Sequence, residues 1–142
     1  MRREIKFRFW NHIVNRMSEV YTLEQLHKEK VTWTNVIELQ YTGLQDKNGK
    51  EVFEGDIIKW KTTRYHNEEH QKKQVAMPKF FISPVLFHEG SFLVNESDKV
   101  CLDVEIYDTF LICFFSDSMD NKFDFKAEVI GNIYQNPELL NK

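Results

Sequence analysis

The chain has 142 residues, 42% of them apolar and 29% charged, and a formal net charge of −3, values of one ordinary globular domain large enough to bury its own core. Its longest apolar run, Phe110-Leu-Ile-Cys-Phe-Phe115, is six residues, far short of the roughly twenty that cross a bilayer as a helix. Met1-Arg-Arg-Glu4 opens on charge where a secretory leader needs an apolar stretch, and Cys101 and Cys113 sit in apolar runs, where reduced, buried thiols are expected; neither a membrane-spanning helix nor a disulfide-framed secreted domain is expected, and the expected setting is cytoplasmic.

Twelve phenylalanines raise the aromatic content to 14%, which favours strands over helices. Ile5-Lys-Phe-Arg-Phe-Trp10 alternates apolar with basic residues, the period-2 mark of a half-buried strand. Asn11-His12 makes a turn, and Ile13-Val14 through Met17 returns as the partner strand. Thr22-Leu-Glu-Gln25 is a capping box that starts a short helix ending near Lys30, before the β-branched Val31-Thr-Trp-Thr34. A strand follows over 36–43. Asn48-Gly49, both tolerant of positive φ, then turns the chain into Glu51-Val-Phe53. Gly55-Asp56 redirects it into Ile57-Ile-Lys-Trp60.

Residues 61–76 form a long polar stretch without a helical apolar stripe, read as an exposed insertion or long hairpin tip. Pro78 and Pro84 bracket a short edge segment. Val85–His88 and Ser91–Val94 read as a hairpin around Gly90. Val100–Tyr107 and Phe110–Phe115 are buried runs that periodicity leaves open between helix and strand; aromatic and β-branched bias favours strand. Ser116–Asn121 is a polar loop, Val129-Ile130 a closing strand, and Pro137 ends regular structure.

Little in this order of residues carries chemistry. His66-Asn-Glu-Glu-His70 fits the inverted zinc-protease pattern H-x-x-E-H, which needs both histidines on one helix face and a third ligand. The stretch is too polar to anchor such a helix, and His88 is the one later histidine; the match is read as coincidence, leaving His66, Glu69 and His70 at most an opportunistic metal contact. Lys59, Trp60, Lys61, Arg64 and Tyr65, with Lys72 and Lys73 beyond, form a basic-aromatic cluster. Such clusters hold single-stranded nucleic acid by phosphate contacts and base stacking, or grip peptides in SH3-like barrels. The same alternation makes Trp60 a core residue with the lysines on a solvated opposite face. Asp46 and Asp56 sit in turns, and turn geometry accounts for them. With no nucleophile elbow, phosphate-cradling glycine loop or Cys–His pair, neither an enzyme nor a cofactor is expected. Residues 1–80 carry a balance of +4 and residues 81–142 one of −7. That asymmetry suits head-to-tail contact between copies or a basic protein partner more than it suits nucleic acid.

Three segments together point to a family. Arg3-Glu-Ile-Lys-Phe-Arg-Phe-Trp10, Gln40-Tyr-Thr-Gly-Leu-Gln-Asp-Lys-Asn-Gly-Lys-Glu-Val-Phe-Glu-Gly-Asp-Ile-Ile-Lys59 and Glu128-Val-Ile-Gly-Asn-Ile-Tyr-Gln-Asn-Pro-Glu-Leu-Leu140 occur in that order. They resemble the opening, central and closing motifs of the YopX family of small phage and prophage proteins. Residues 60–127, between the central and closing motifs, match no pattern of it. The resemblance implies an SH3-like barrel in the C-terminal part and implies no activity. The expected fold is therefore mainly β, with at most one or two short helices. Residues 1–54 would form a strand-rich N-terminal arm with a hairpin, and residues 55–142 an SH3-like barrel carrying the polar insertion 61–76. The expected role is that of an accessory protein in the bacterial host cytoplasm, acting through protein–protein binding or self-assembly; the alternative is a nucleic-acid-binding small β-barrel module. Gly43, Asn48, Gly49, Gly55, Asp56, Gly131 and Asn132 are read as structural.

Overall fold

Strands dominate the described residues, where the apolar alternations of Lys6–Asn11 and Val36–Gln45 pair with one another. A computed structural model describes residues 4–29, 34–66, 75–88, 90–95, 109–111 and 127–141, with the backbone alone at 61–66, 75–79, 95 and 109–111. The first sheet has the order β2-β1-β4-β5: β1 (Lys6–Asn11) lies between β2 (Arg16–Met17) and β4 (Val36–Gln45), and β5 (Glu51–Phe53) follows. β3 (Tyr21–Thr22) also pairs with β1. β1 and β4 run antiparallel from Phe7 opposite Gln40 to Asn11 opposite Val36.

Between β3 and β4 lies α1 (Leu23–Glu29), a helix with no buried residue. Its start is the expected capping box: the Gln25 amide donates to Thr22 Oγ1 at 3.3 Å, and the Thr22 amide to Gln25 Oε1 at 2.8 Å. On β1 the basic residues do not face water as simple alternation suggests. Lys6 pairs with Glu51 and Arg8 with Asp56, and both side chains are largely buried.

The hairpin at Asp46–Gly49 departs from a two-residue Asn-Gly turn. Gly49 has φ 79°, whereas Asn15 and Asn35 are the non-glycine residues at positive φ among those described, so Asn48 stays on the ordinary side. The Gly49 amide closes the turn on the Asp46 carbonyl at 3.0 Å. One glycine in the left-handed region is enough once Asp46 organises the rest.

β6 (Asp56–His66) and β7 (Val75–Pro84) form a long antiparallel hairpin, in register from Ile57 opposite Pro84 to His66 opposite Val75. Much of the polar stretch 61–76 thus belongs to two strand arms, and residues 67–74 between them lie outside the described residues. Pro78 and Pro84 fall within β7 rather than bracketing it. Among the described residues β6 is the neighbour of β7 in this sheet, and an edge strand tolerates a missing amide. β11 (Glu128–Asn132) covers the other side of β6, with an irregularity in register between Val129 and Gly131. A third sheet holds the Gly90 hairpin, β8 (Leu86–His88) and β9 (Ser91–Asn95), with β10 (Thr109–Leu111) on β9.

The core gathers Val52, Ile58, Trp60, Phe81, Val85, Val94, Ala127 and Val129. It draws on β5, β6, β7, β9 and β11, so residues on both sides of Gly55 share it. A 3-10 turn at Pro137–Leu140 closes the chain. The runs Val31–Trp33, Val100–Tyr107 and 112–115, the loop Ser116–Asn121, Glu69, His70 and both cysteines lie outside the described residues. Among the described residues no helix is long and apolar enough to cross a membrane.

Candidate functional site

Two buried carboxylates organise the junction between the sheets. Asp56, 1% exposed, starts β6 directly after Gly55, whose φ of 81° swings the chain out of β5. Its Oδ1 accepts from Arg8 Nη2 and from Asn132 Nδ2, the latter at 3.3 Å, and its Oδ2 accepts from the Phe53 amide at 2.8 Å. The Arg8 guanidinium also lies 4.6 Å from the Phe53 ring centre. Backbone bonds seal the same spot: Gly55 donates to the Val85 carbonyl, and Val85 to that of Asp56, each at 2.8 Å.

Asp46 does similar work at the hairpin. Its Oδ1 accepts from the amides of Asn48 at 2.8 Å and Lys50 at 2.9 Å, and its Oδ2 from the amide of Val129 at 3.0 Å. Burial acts to raise the pKa of this carboxyl, but the three amides outweigh it and hold the group below its ordinary value. Burial raises the pKa of Glu54 against a bond from the Gln40 amide, and burial, followed by the nearby Glu54 charge, raises that of Tyr134. Tyr134 is stacked on Trp10 with ring centres 5.8 Å apart.

The basic-aromatic cluster is divided by its strand. Trp60 is 5% exposed and stacks on Phe81 at 5.5 Å within the core. Lys59, on the opposite face, is exposed and holds its Nζ 5.1 Å from the ring centre of Phe80, which is 59% exposed. Lys61, Arg64 and Tyr65 continue β6 as a paired strand, opposite Phe80, Met77 and Ala76. The pattern does not bring Trp60 to the surface beside Lys59. His66 ends β6, and among the described residues no three His, Cys, Asp or Glu side chains converge as a metal site.

Among the described residues, the turn from β1 to β2 presents the most exposed pair of neighbouring large apolar side chains. Asn11 Oδ1 accepts from the amides of Ile13 at 3.0 Å and Val14 at 3.2 Å, and Asn15 takes φ 52° to bring the chain back. This fixed loop leaves Ile13 64% and Val14 63% exposed. Beside it lies a groove of about 280 Å³ whose walls include Phe9, Val14, Met17, Tyr21 and Val36.

The sequence profile of the YopX protein family matches residues 6–141. The chain belongs to the YopX family. Among solved structures, the chain has a similarity to the crystal structure of protein EF1440 from Enterococcus faecalis, 23% identical, with a TM-score of 0.49 over 96% of this chain and 97% of that one. No curated protein matches the chain.

In this YopX-family chain the opening, central and closing segments meet at Arg8, Asp56 and Asn132. Arg8 and Asn132 both donate to Asp56 Oδ1, so these residues build a joint, in which the buried Arg8 Nε has no partner among the described residues. Gly131 fits the same description: a Cβ there would lie 2.6 Å from Leu139 Cδ1 and 2.9 Å from Asn136 Oδ1. The apolar tip is hidden in the sequence, where Ile13 and Val14 read as the start of a returning strand. Two asparagines flanking an apolar pair at a turn were the available signal.

Proposed function

We propose that this YopX-family chain is a phage or prophage accessory protein that works in the host cytoplasm by binding protein, copies of itself included, rather than by turning over a substrate. The observation that carries the reading is the Ile13–Val14 tip. A loop tied down by Asn11 holds two aliphatic side chains in water beside a mostly apolar groove, and this continuous apolar surface is the contact surface of the proposal. The opposed charge balances of residues 1–80 and 81–142 favour association of one copy's basic part with another's acidic part.

For the C-terminal part we adopt an SH3-like barrel. The β11-β6-β7 sheet, the β8–β9 hairpin and the core they share support that reading. The nucleic-acid alternative keeps one supporting observation, the exposed Lys59–Phe80 pair, and loses Trp60 as a stacking platform because that ring is packed inside.

Light scattering of the purified chain over a range of concentration and salt tests the proposal. Association that strengthens with concentration and weakens with salt is the expected result. A strict monomer under all conditions, which also retains no protein from infected or lysogenic cells, overturns it.

A further inference from the structure

Asn48-Gly49 is the one Asn-Gly pair in the sequence, and that pair has a chemistry of its own. The backbone nitrogen of Gly49, on losing its proton, can attack Cγ of Asn48. A new N–Cγ bond forms, the Cγ–Nδ2 bond breaks, and ammonia leaves a five-membered succinimide. Water then opens the ring at either carbonyl, giving aspartate or isoaspartate. Glycine favours the reaction because no side chain shields the attacking nitrogen.

The surroundings both permit and restrain this step. Asn48 and Gly49 are exposed, and a Cβ on Gly49 would meet nothing within 4 Å, so water and base have free access. Yet the Gly49 N–H is committed to the Asp46 carbonyl at 3.0 Å. The amides on either side, Asn48 and Lys50, are pinned to Asp46 Oδ1 at 2.8 and 2.9 Å. The nucleophile keeps its proton and its orientation while Asp46 holds the turn.

We infer that Asn48 is a spontaneous deamidation site gated by Asp46, closed while the turn is intact and reactive when it opens. The product matters to the fold. It places a new negative charge beside the Asp46 carboxylate, and in the isoaspartyl form it adds a methylene to the turn backbone. Both changes disfavour the geometry in which Asp46 Oδ2 accepts the Val129 amide at 3.0 Å, so modification loosens the hairpin from β11.

The test follows conversion of Asn48 at mildly alkaline pH in three samples: the folded chain, the same chain unfolded in urea, and folded Asp46→Asn. Cleavage after glutamate releases the fragment 39–51, whose mass and chromatographic splitting report aspartate and isoaspartate. The folded chain is expected to convert roughly tenfold or more slowly than the unfolded one, because reaction waits for local opening. Asp46→Asn is expected to fall between them. Equal rates in folded and unfolded wild type overturn the gating, and absence of conversion in the unfolded chain overturns the site itself. Should Asp46→Asn fail to fold, the two wild-type samples still decide; should it fold and convert as slowly as wild type, Asp46 is not the gate.

Discussion

Arg8 donates to the buried Asp56 carboxylate from a strand 48 residues away in sequence, and this pair joins the first sheet to the start of β6. Removing one partner strands the other charge where water cannot replace it. Asp56→Ala is therefore expected to cost about 3–5 kcal/mol. The sharper check is a double-mutant cycle by urea unfolding: Asp56→Asn should cost markedly less in an Arg8→Met background than in wild type. Costs that simply add, within roughly 0.5 kcal/mol, would mean that the pair is not coupled.

Asp46 makes stability depend on pH. Its pKa is lower folded than unfolded because three amides outweigh the effect of burial. Its contribution is therefore complete above the unfolded value, about pH 4, and is lost as pH falls through the lowered folded value. Wild type should outlast Asp46→Asn in urea at neutral pH, with the gap closing on acidification. A gap of constant size between neutral and acid pH would show that the carboxylate charge does not act through these amides.

Gly49 is the position where the turn needs a left-handed backbone, with open space around it. Gly49→Val should thus act through strain alone, lowering stability by roughly 1 kcal/mol or more and leaving association intact well below the melting temperature. Unchanged stability with lost association would turn this hairpin tip into a contact surface.

Local chemistry was legible in the sequence, and remote pairing was not. The capping box of Thr22 and Gln25, the hairpin at Gly49 and the hairpin around Gly90 follow from residues within a few positions of one another. The partner of Asp46 at Val129 lies 83 residues away, and no periodicity announces it. The polar stretch 61–76 reads as an exposed insertion or a long hairpin tip, and the hairpin reading is the one that holds, with 61–66 paired to β7; polarity reports exposure of side chains, not absence of a ladder. Arg8 looked like a solvated residue of an amphipathic strand because its partner was unknown. Trp60 carried two readings in the sequence, and its stacking on Phe81 inside the core belongs to the structural one.

Replacing Lys59, Lys61 and Arg64 together by glutamine separates the two functional readings. If the chain is a protein binder, wild type and variant alike should fail to retain labelled single-stranded DNA or RNA at low salt. Retention by wild type that falls steeply with salt and is weakened in the variant would establish β6 as a nucleic-acid surface.

The most direct test of protein binding is light scattering of Ile13→Asp/Val14→Asp beside wild type. Both side chains are already exposed, so the melting temperature should stay within roughly five degrees of wild type, two surface substitutions of about 0.5 kcal/mol or less each summing to about 1 kcal/mol. Wild type is expected to associate with rising concentration and the double variant to remain monomeric. Association of the variant equal to that of wild type, with its fold intact, would contradict this expectation.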